Sequence, residues 1–187
     1  MNLSELYRNR RSIRNYQDKP VSMDVIQSLI SDSILAPNAG NEQPWKFVVV
    51  RNRDMIDRIS AECKKNFLER IAANPDDPAK KYEKMLQNEA FHIFYNAPAV
   101  VFITGDAQVK NLVADCALAA SYFMFSATSL GLGTCWVNFG REPGPKLRNE
   151  LGISENLKIV APLALGYPKK IPVIPSRKEP QILKVIK

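Results

Sequence analysis

Few side chains in this 187-residue chain are suited to chemistry of their own. The single histidine, His92, lies among Phe91, Ile93 and Phe94, and no nucleophile-elbow serine accompanies it. Three scattered cysteines, Cys63, Cys116 and Cys135, have neither zinc nor paired-redox spacing. No metal site is expected. Gly131-Leu132-Gly133 lacks the third glycine of a dinucleotide fingerprint and precedes a strand pattern instead of following one. What stands out is charge. Arg8, Arg10, Arg11, Arg14 and Lys19 crowd the start of the chain, and Lys169, Lys170, Arg177, Lys178, Lys184 and Lys187 crowd its end. The stretch between is close to neutral.

Three readings of that pattern compete. The cations can be solvated surface charge, a nucleic-acid footprint, or two halves of one compact anion site. A helix-turn-helix, a zinc finger, an aromatic RNA-binding strand and a basic helix stripe are all missing, which weakens the second reading. Arginine dominates the first cluster, and its planar fork suits bidentate phosphate contacts, which favours the third. A chain poor in acid–base and nucleophilic groups but equipped with an anion site fits a bound cofactor that carries the reactive chemistry.

The elements that must position these residues follow from periodicity. Helices are expected over Leu3–Asn9, from Ser22 as N-cap to a stop at Pro37, over Asp54–Leu68, Lys80–Tyr95, Gln108–Leu130 and Pro145–Leu151. Strands are expected over Trp45–Val50, Ala99–Thr104, Thr134–Val137 and Ile159–Leu165. The apolar run from Val113 to Leu132 is interrupted by Asp115 and several Ser and Thr residues, so a buried helix is expected there and not a membrane span. Apolar residues at 45% and a net charge of +7 describe an ordinary globular chain. The reading is a single domain over 1–187 of α+β class, an α/β sandwich with a central mixed β-sheet flanked by helices. Residues 64–98 form a helical excursion, and the proline-rich 168–187 form an extended C-terminal arm.

Four strings now occur in a telling order: Arg10-Arg11-Ser12-Ile13-Arg14, Ala36-Pro37-Asn38 through Asn41, Gln43, Pro44 and Trp45, Gly131 through Trp136-Val137-Asn138, and Leu165-Gly166-Tyr167-Pro168 followed by Arg177-Lys178. Along nearly its whole length the chain resembles the FMN-dependent nitroreductase family. The resemblance implies a homodimer with two FMN sites at the interface and the C-terminal arm exchanged between subunits. Arg10, Arg11 and Ser12 would meet the phosphate, and Arg14 would lie near flavin N1 and O2. Asn38, Asn41 and Gln43 would cover the cofactor from the other subunit; family members often carry Ser or Thr where this chain has Asn38. Backbone of Trp136, Val137 and Asn138 would run past flavin N5 and O4. Arg177, with Lys178 beside it, would close on the phosphate.

The implied activity is hydride transfer from NADH or NADPH through flavin N5 to an electron-poor small-molecule acceptor, such as a nitroaromatic or quinone, in ping-pong fashion. Arg14 would act electrostatically, with no side chain as catalytic group. Phe67, Tyr82, Phe91, Phe94 and Tyr95 are candidates for lining the acceptor pocket. A cytoplasmic protein with reduced thiols, and with no nucleic-acid or membrane partner, is expected. A flavin carrier with little turnover and a basic, non-catalytic nucleic-acid-binding protein are the alternatives.

Overall fold

Four antiparallel strands, β1 (Lys46–Val50), β2 (Ala99–Asp106), β3 (Gly133–Trp136) and β4 (Leu157–Gly166), pair in the order β1-β2-β4-β3. The computed structural model describes residues 2–187. Around the sheet lie helices α1 (Leu3–Asn9), α2 (Met23–Ser33), α3 (Arg53–Ala73), α4 (Glu83–Gln87), α5 (Leu112–Ser129) and α6 (Pro145–Glu150). The sheet, expected to be mixed, is antiparallel between every pair of strands. Its parallel contact is the bridge from Ser12 to Thr134 at the β3 edge.

Two-residue alternation builds two cores from one sheet. Val101, Ile103, Leu163 and Leu165 face α2 and α5, while Val100, Phe102 and Ala164 face α3. Burying a large apolar side chain is worth about 1.5–3 kcal/mol, and Phe94, Phe102 and Phe123 are all fully buried. Helix α5 is long and apolar enough to cross a membrane by length and composition. Here it packs on the sheet through Cys116, Ala119, Ala120, Phe123 and Ala127. It ends where Gly131, at φ +74°, lets the Leu132 amide reach back to the Ala127 carbonyl at 2.8 Å. That reversal delivers β3 to the sheet edge.

Ser22 and Asn52 cap α2 and α3 through their side chains, as their residue types favour. Helix α5 starts at Leu112, later than Gln108, because Asp106 Oδ1 accepts the Gln108 amide in a turn. Helix α3 runs past Leu68 to Ala73, so the excursion begins inside it. The helix expected over 80–95 is broken. A 3-10 turn, Pro78–Tyr82, leads into α4, which stops at Asn88. Asn88 Oδ1 accepts the Ala90 amide, and Lys64 Nζ donates to the Asn88 and Phe91 carbonyls at 2.7 and 2.9 Å. A side chain from α3 thus takes the carbonyls that a continuous helix needs for itself. Phe67, Ile71, Ala79 and Leu86 form a third, smaller core beneath the excursion.

Candidate functional site

The two ends of the chain meet because β4 runs out along the N-terminal segment. The Gln17 amide donates to the Tyr167 carbonyl, the Lys169 amide donates to the Asn15 carbonyl, and Tyr16 bridges Pro168 antiparallel. Lys19 Nζ lies 4.1 Å from the Tyr167 ring centroid. Continuing in that sense, the C-terminal arm passes back beside residues 14 to 10. Arg10, Arg11, Ser12, Arg14, Pro172, Val173, Pro175 and Arg177 then wall one cleft of about 290 Å³. Burial, followed by the guanidiniums of Arg11 and Arg177, holds the Arg10 pKa below its ordinary value. Like charges drawn together in this way mark a place for an anion.

Arg11 adds a sharper indication. It is 8% exposed. Its Nη1 donates to the Arg10 carbonyl, while its Nε and Nη2 are buried without a hydrogen-bond partner. Buried donors of this kind are costly unless something accepts from them. Lys178 lies next to Arg177 in sequence but does not line the cleft.

Arg14 joins this cleft to a second cavity of about 750 Å³. Its walls include Phe67, Tyr82, Tyr95, Trp136, Val137, Asn138 and Phe139. Phe67 and Tyr82 meet Phe139 edge-on at 5.2 and 5.4 Å. Trp136 Nε1 is buried without a partner, and the Arg141 guanidinium carbon lies 5.8 Å from the Trp136 ring centroid. The Val137 amide is not available to a ligand, because it donates to the Pro162 carbonyl at 2.8 Å. Antiparallel alternation therefore turns the Trp136 amide outward from β4. Of the aromatic candidates, Phe67, Tyr82 and Tyr95 line this cavity. Phe91 lines a smaller neighbouring one, and Phe94 is core, edge-on to Phe102. Sequence reading missed Arg70, Asp77, Met85 and Phe139 as wall residues. The Asp77-Pro78 pair was the available signal, since it caps the 3-10 turn while Asp77 accepts from Arg70 Nε at 2.8 Å.

Asn38, Asn41 and Gln43 lie elsewhere. Their loop precedes β1, at the sheet edge opposite β3. Asn38 Oδ1 accepts the Gln43 amide at 2.9 Å, and Gln43 Nε2 donates to Asn41 Oδ1 at 3.1 Å. Gly40, Asn41 and Gln43 all take positive φ. Asp115 Oδ1, at the start of α5, accepts the Ala39 amide at 3.1 Å. The loop contributes no wall to the arginine cleft.

No group of metal-ligating side chains occurs among the described residues. All three cysteines are free and buried. Burial pushes Cys63 and Cys116 up to about 12. Burial also raises Cys135 in spite of Arg14 and Arg10, so none is poised as a thiolate. His92 is engaged: Nε2 meets Asp57 Oδ1 at 3.1 Å, and Nδ1 accepts from the Phe94 and Asn96 amides. Burial lowers its pKa below 6.5, Asp57 opposing and Arg53 and Lys64 adding. A depressed pKa means the unfolded chain binds the proton more readily. This contribution to stability is full above about pH 6.5 and is lost as pH falls through the folded value. Urea denaturation at descending pH is expected to show that loss, and His92→Gln is expected to flatten it.

An Archaeoglobus fulgidus protein, carrying the name of an NADH dehydrogenase/NAD(P)H nitroreductase, is 34% identical over 167 residues, covering 86% of this chain and 82% of its own. The crystal structure of a Bacteroides fragilis nitroreductase with bound FMN superposes with a TM-score of 0.81 at 26% identity, covering 100% of this chain and 99% of its own. Iodotyrosine deiodinase 1 of Sus scrofa is 29% identical over 198 residues, covering 96% of this chain and 66% of its own. Residues 7–167 match the sequence profile of the nitroreductase family, and the chain belongs to that family.

Proposed function

We propose that the chain is an FMN-dependent oxidoreductase. It takes hydride from NADH or NADPH and delivers it to a flat, electron-poor acceptor such as a nitroaromatic or a quinone. The observation that carries this reading is the convergence of Arg10, Arg11, Ser12 and Arg177 on one cleft, joined through Arg14 to an aromatic-walled cavity. The unpartnered Nε and Nη2 of Arg11 and the unpartnered Trp136 Nε1 fit a phosphate-bearing aromatic cofactor. FMN bound there supplies the two-electron chemistry that no side chain of the site provides.

The chain's own residues bind, orient and exclude water. Arg10, Arg11, Ser12 and Arg177 hold the phosphate. Arg14 carries a permanent charge between the two cavities and would favour negative charge on a bound flavin ring. Phe67, Tyr82, Trp136 and Phe139 give flat apolar walls to whatever stacks in the cavity. One cavity serves donor and acceptor in turn, which predicts ping-pong kinetics. His92 is held by Asp57 and two backbone amides, so it is not the proton source.

A second copy completes the site in this reading. Asn38, Asn41 and Gln43 sit at the opposite sheet edge from the arginine cleft, so they reach a cofactor only on a partner subunit. Leu3, Tyr7, Leu35, Val113, Leu118, Tyr122 and Leu130 are exposed on α1, α2's end and α5, an apolar surface suited to a homodimer. The C-terminal arm, exposed beyond Lys169 and with Ile182, Leu183, Val185 and Ile186 uncovered, is the segment to exchange. Three unbridged thiols suit the reducing cytoplasm.

The test is anaerobic. FMN-loaded protein mixed with NADH or NADPH is expected to lose its oxidised flavin absorbance and regain it on adding acceptor. An acceptor panel of nitroaromatics, quinones and an iodotyrosine defines the substrate class. Absorbance that neither nucleotide changes would leave a flavin carrier instead.

A further inference from the structure

We infer that Tyr95 is a positioning residue that aims Arg14 at the ring of the cofactor, and that a latch of Arg53, Asp57, His92 and Asn96 holds Tyr95 in place. The inference rests on the FMN reading above. Tyr95 and Asn96 are consecutive non-glycine residues at φ 55° and 56°. The left-handed region is strained for a bulky residue such as Tyr95, so the surroundings must impose it. They do so from both sides. Arg53, at the start of α3, donates Nη2 to Asn96 Oδ1 at 2.6 Å and Nη1 to the Asn96 carbonyl at 3.3 Å. Its Nε binds Asp57, whose other contact is His92 Nε2. His92 Nδ1 then accepts the Phe94 and Asn96 amides, and the Tyr95 amide donates to the His92 carbonyl at 2.8 Å.

The strained turn projects the Tyr95 hydroxyl toward Arg14, whose Nε donates to it at 3.3 Å, with the guanidinium carbon 5.7 Å from the ring centroid. With Nε occupied, the two terminal nitrogens of Arg14 remain as a fork for a ligand. The constraint matters because Arg14 borders both cavities. Released, its side chain can turn into the anion cleft beside Arg10, Arg11 and Arg177, and its charge would then serve the phosphate instead of the ring. Tyr95 therefore decides which part of the cofactor Arg14 serves, and so tunes how strongly reduced FMN is favoured over oxidised FMN.

The experiment is the midpoint potential of the FMN-loaded protein, measured by dye equilibration, together with the dissociation constant for oxidised FMN. Tyr95→Phe is expected to lower the preference for reduced over oxidised FMN by about fivefold, the worth of one ordinary hydrogen bond. Oxidised FMN is expected to bind it at least as tightly as the wild type, because the released Arg14 joins the phosphate cleft. Arg53→Ala, an exposed change that unlocks Asn96, is expected to shift the potential in the same direction. Arg58→Ala, on the same helix as Arg53 but outside the latch, removes an ion pair to Glu150 of α6 and is expected to leave the potential alone. In an Arg14→Ala background, Tyr95→Phe is expected to add nothing. A wild type that retains FMN, with a potential unmoved by Tyr95→Phe or moved equally without Arg14, overturns this inference alone. A wild type that retains no FMN overturns the parent reading, and this inference with it.

Discussion

Replacing Arg10 and Arg177 together by alanine is expected to weaken FMN binding by about 10²- to 10⁴-fold, since each charge-assisted hydrogen bond is worth about 1.5–3 kcal/mol. The two residues stand 167 positions apart in sequence, yet Arg177 is close enough to help depress the Arg10 pKa. Each single variant is expected to lose about one to two orders of magnitude on the same scale. Arg10 is half-buried, Arg177 is exposed and neither belongs to the core, so thermal unfolding of the cofactor-free protein is expected not to fall. Quenching of FMN fluorescence on titration measures the affinities. Full retention in the double variant would place the phosphate elsewhere.

Gly133→Val is expected to strip the protein of cofactor by an indirect route. A Cβ at Gly133 would lie 2.4 Å from Ile13 Cγ1 and 2.8 Å from Ile13 Cβ. Gly133 opens β3, and Ile13 stands inside the arginine run, its amide on the Thr134 carbonyl at 2.9 Å. A β-branched side chain there must push the run off the sheet edge. Overpacking of this kind costs about 1–3 kcal/mol, and loss of the Ser12–Thr134 bridge adds to it. A lowered melting temperature together with weak FMN retention is the expected pair of results. Normal FMN affinity in a stable Gly133→Val protein would show that the β3 edge does not set the arginines' position.

The parts of this fold that were legible in the sequence are those governed by local rules. Leu3–Asn9 is a helix as expected, Ser22 caps α2, and all four strands fall where apolar runs lie between turn residues. The sense of strand pairing depends on distant partners, and so the sheet proved antiparallel where a mixed one was expected. The break after Gln87 was also illegible, because its cause is Lys64 reaching across from α3 to take two carbonyls. Amphipathic spacing over 80–95 carries no trace of that competition.

The site divides in the same way. The arginine run and Arg177 were recognisable by residue type, and the antiparallel return after β4 brings them together. Val137 stands within the motif, but ladder alternation commits its amide to Pro162. Asp77-Pro78 left a turn signal, but Arg70 was invisible as a wall residue because its role comes from pairing with Asp77 across a loop. Tyr95 appeared only as one aromatic among several. Its left-handed backbone and its contact with Arg14 are tertiary facts.

The claim on which the account turns is that both ends of the chain grip one FMN. The direct measurement is to mix purified protein with FMN, remove unbound FMN on a desalting column, and record the absorbance of the protein fraction. The account predicts flavin bands travelling with the protein at one FMN per chain. A colourless fraction, with all FMN left behind, would contradict it.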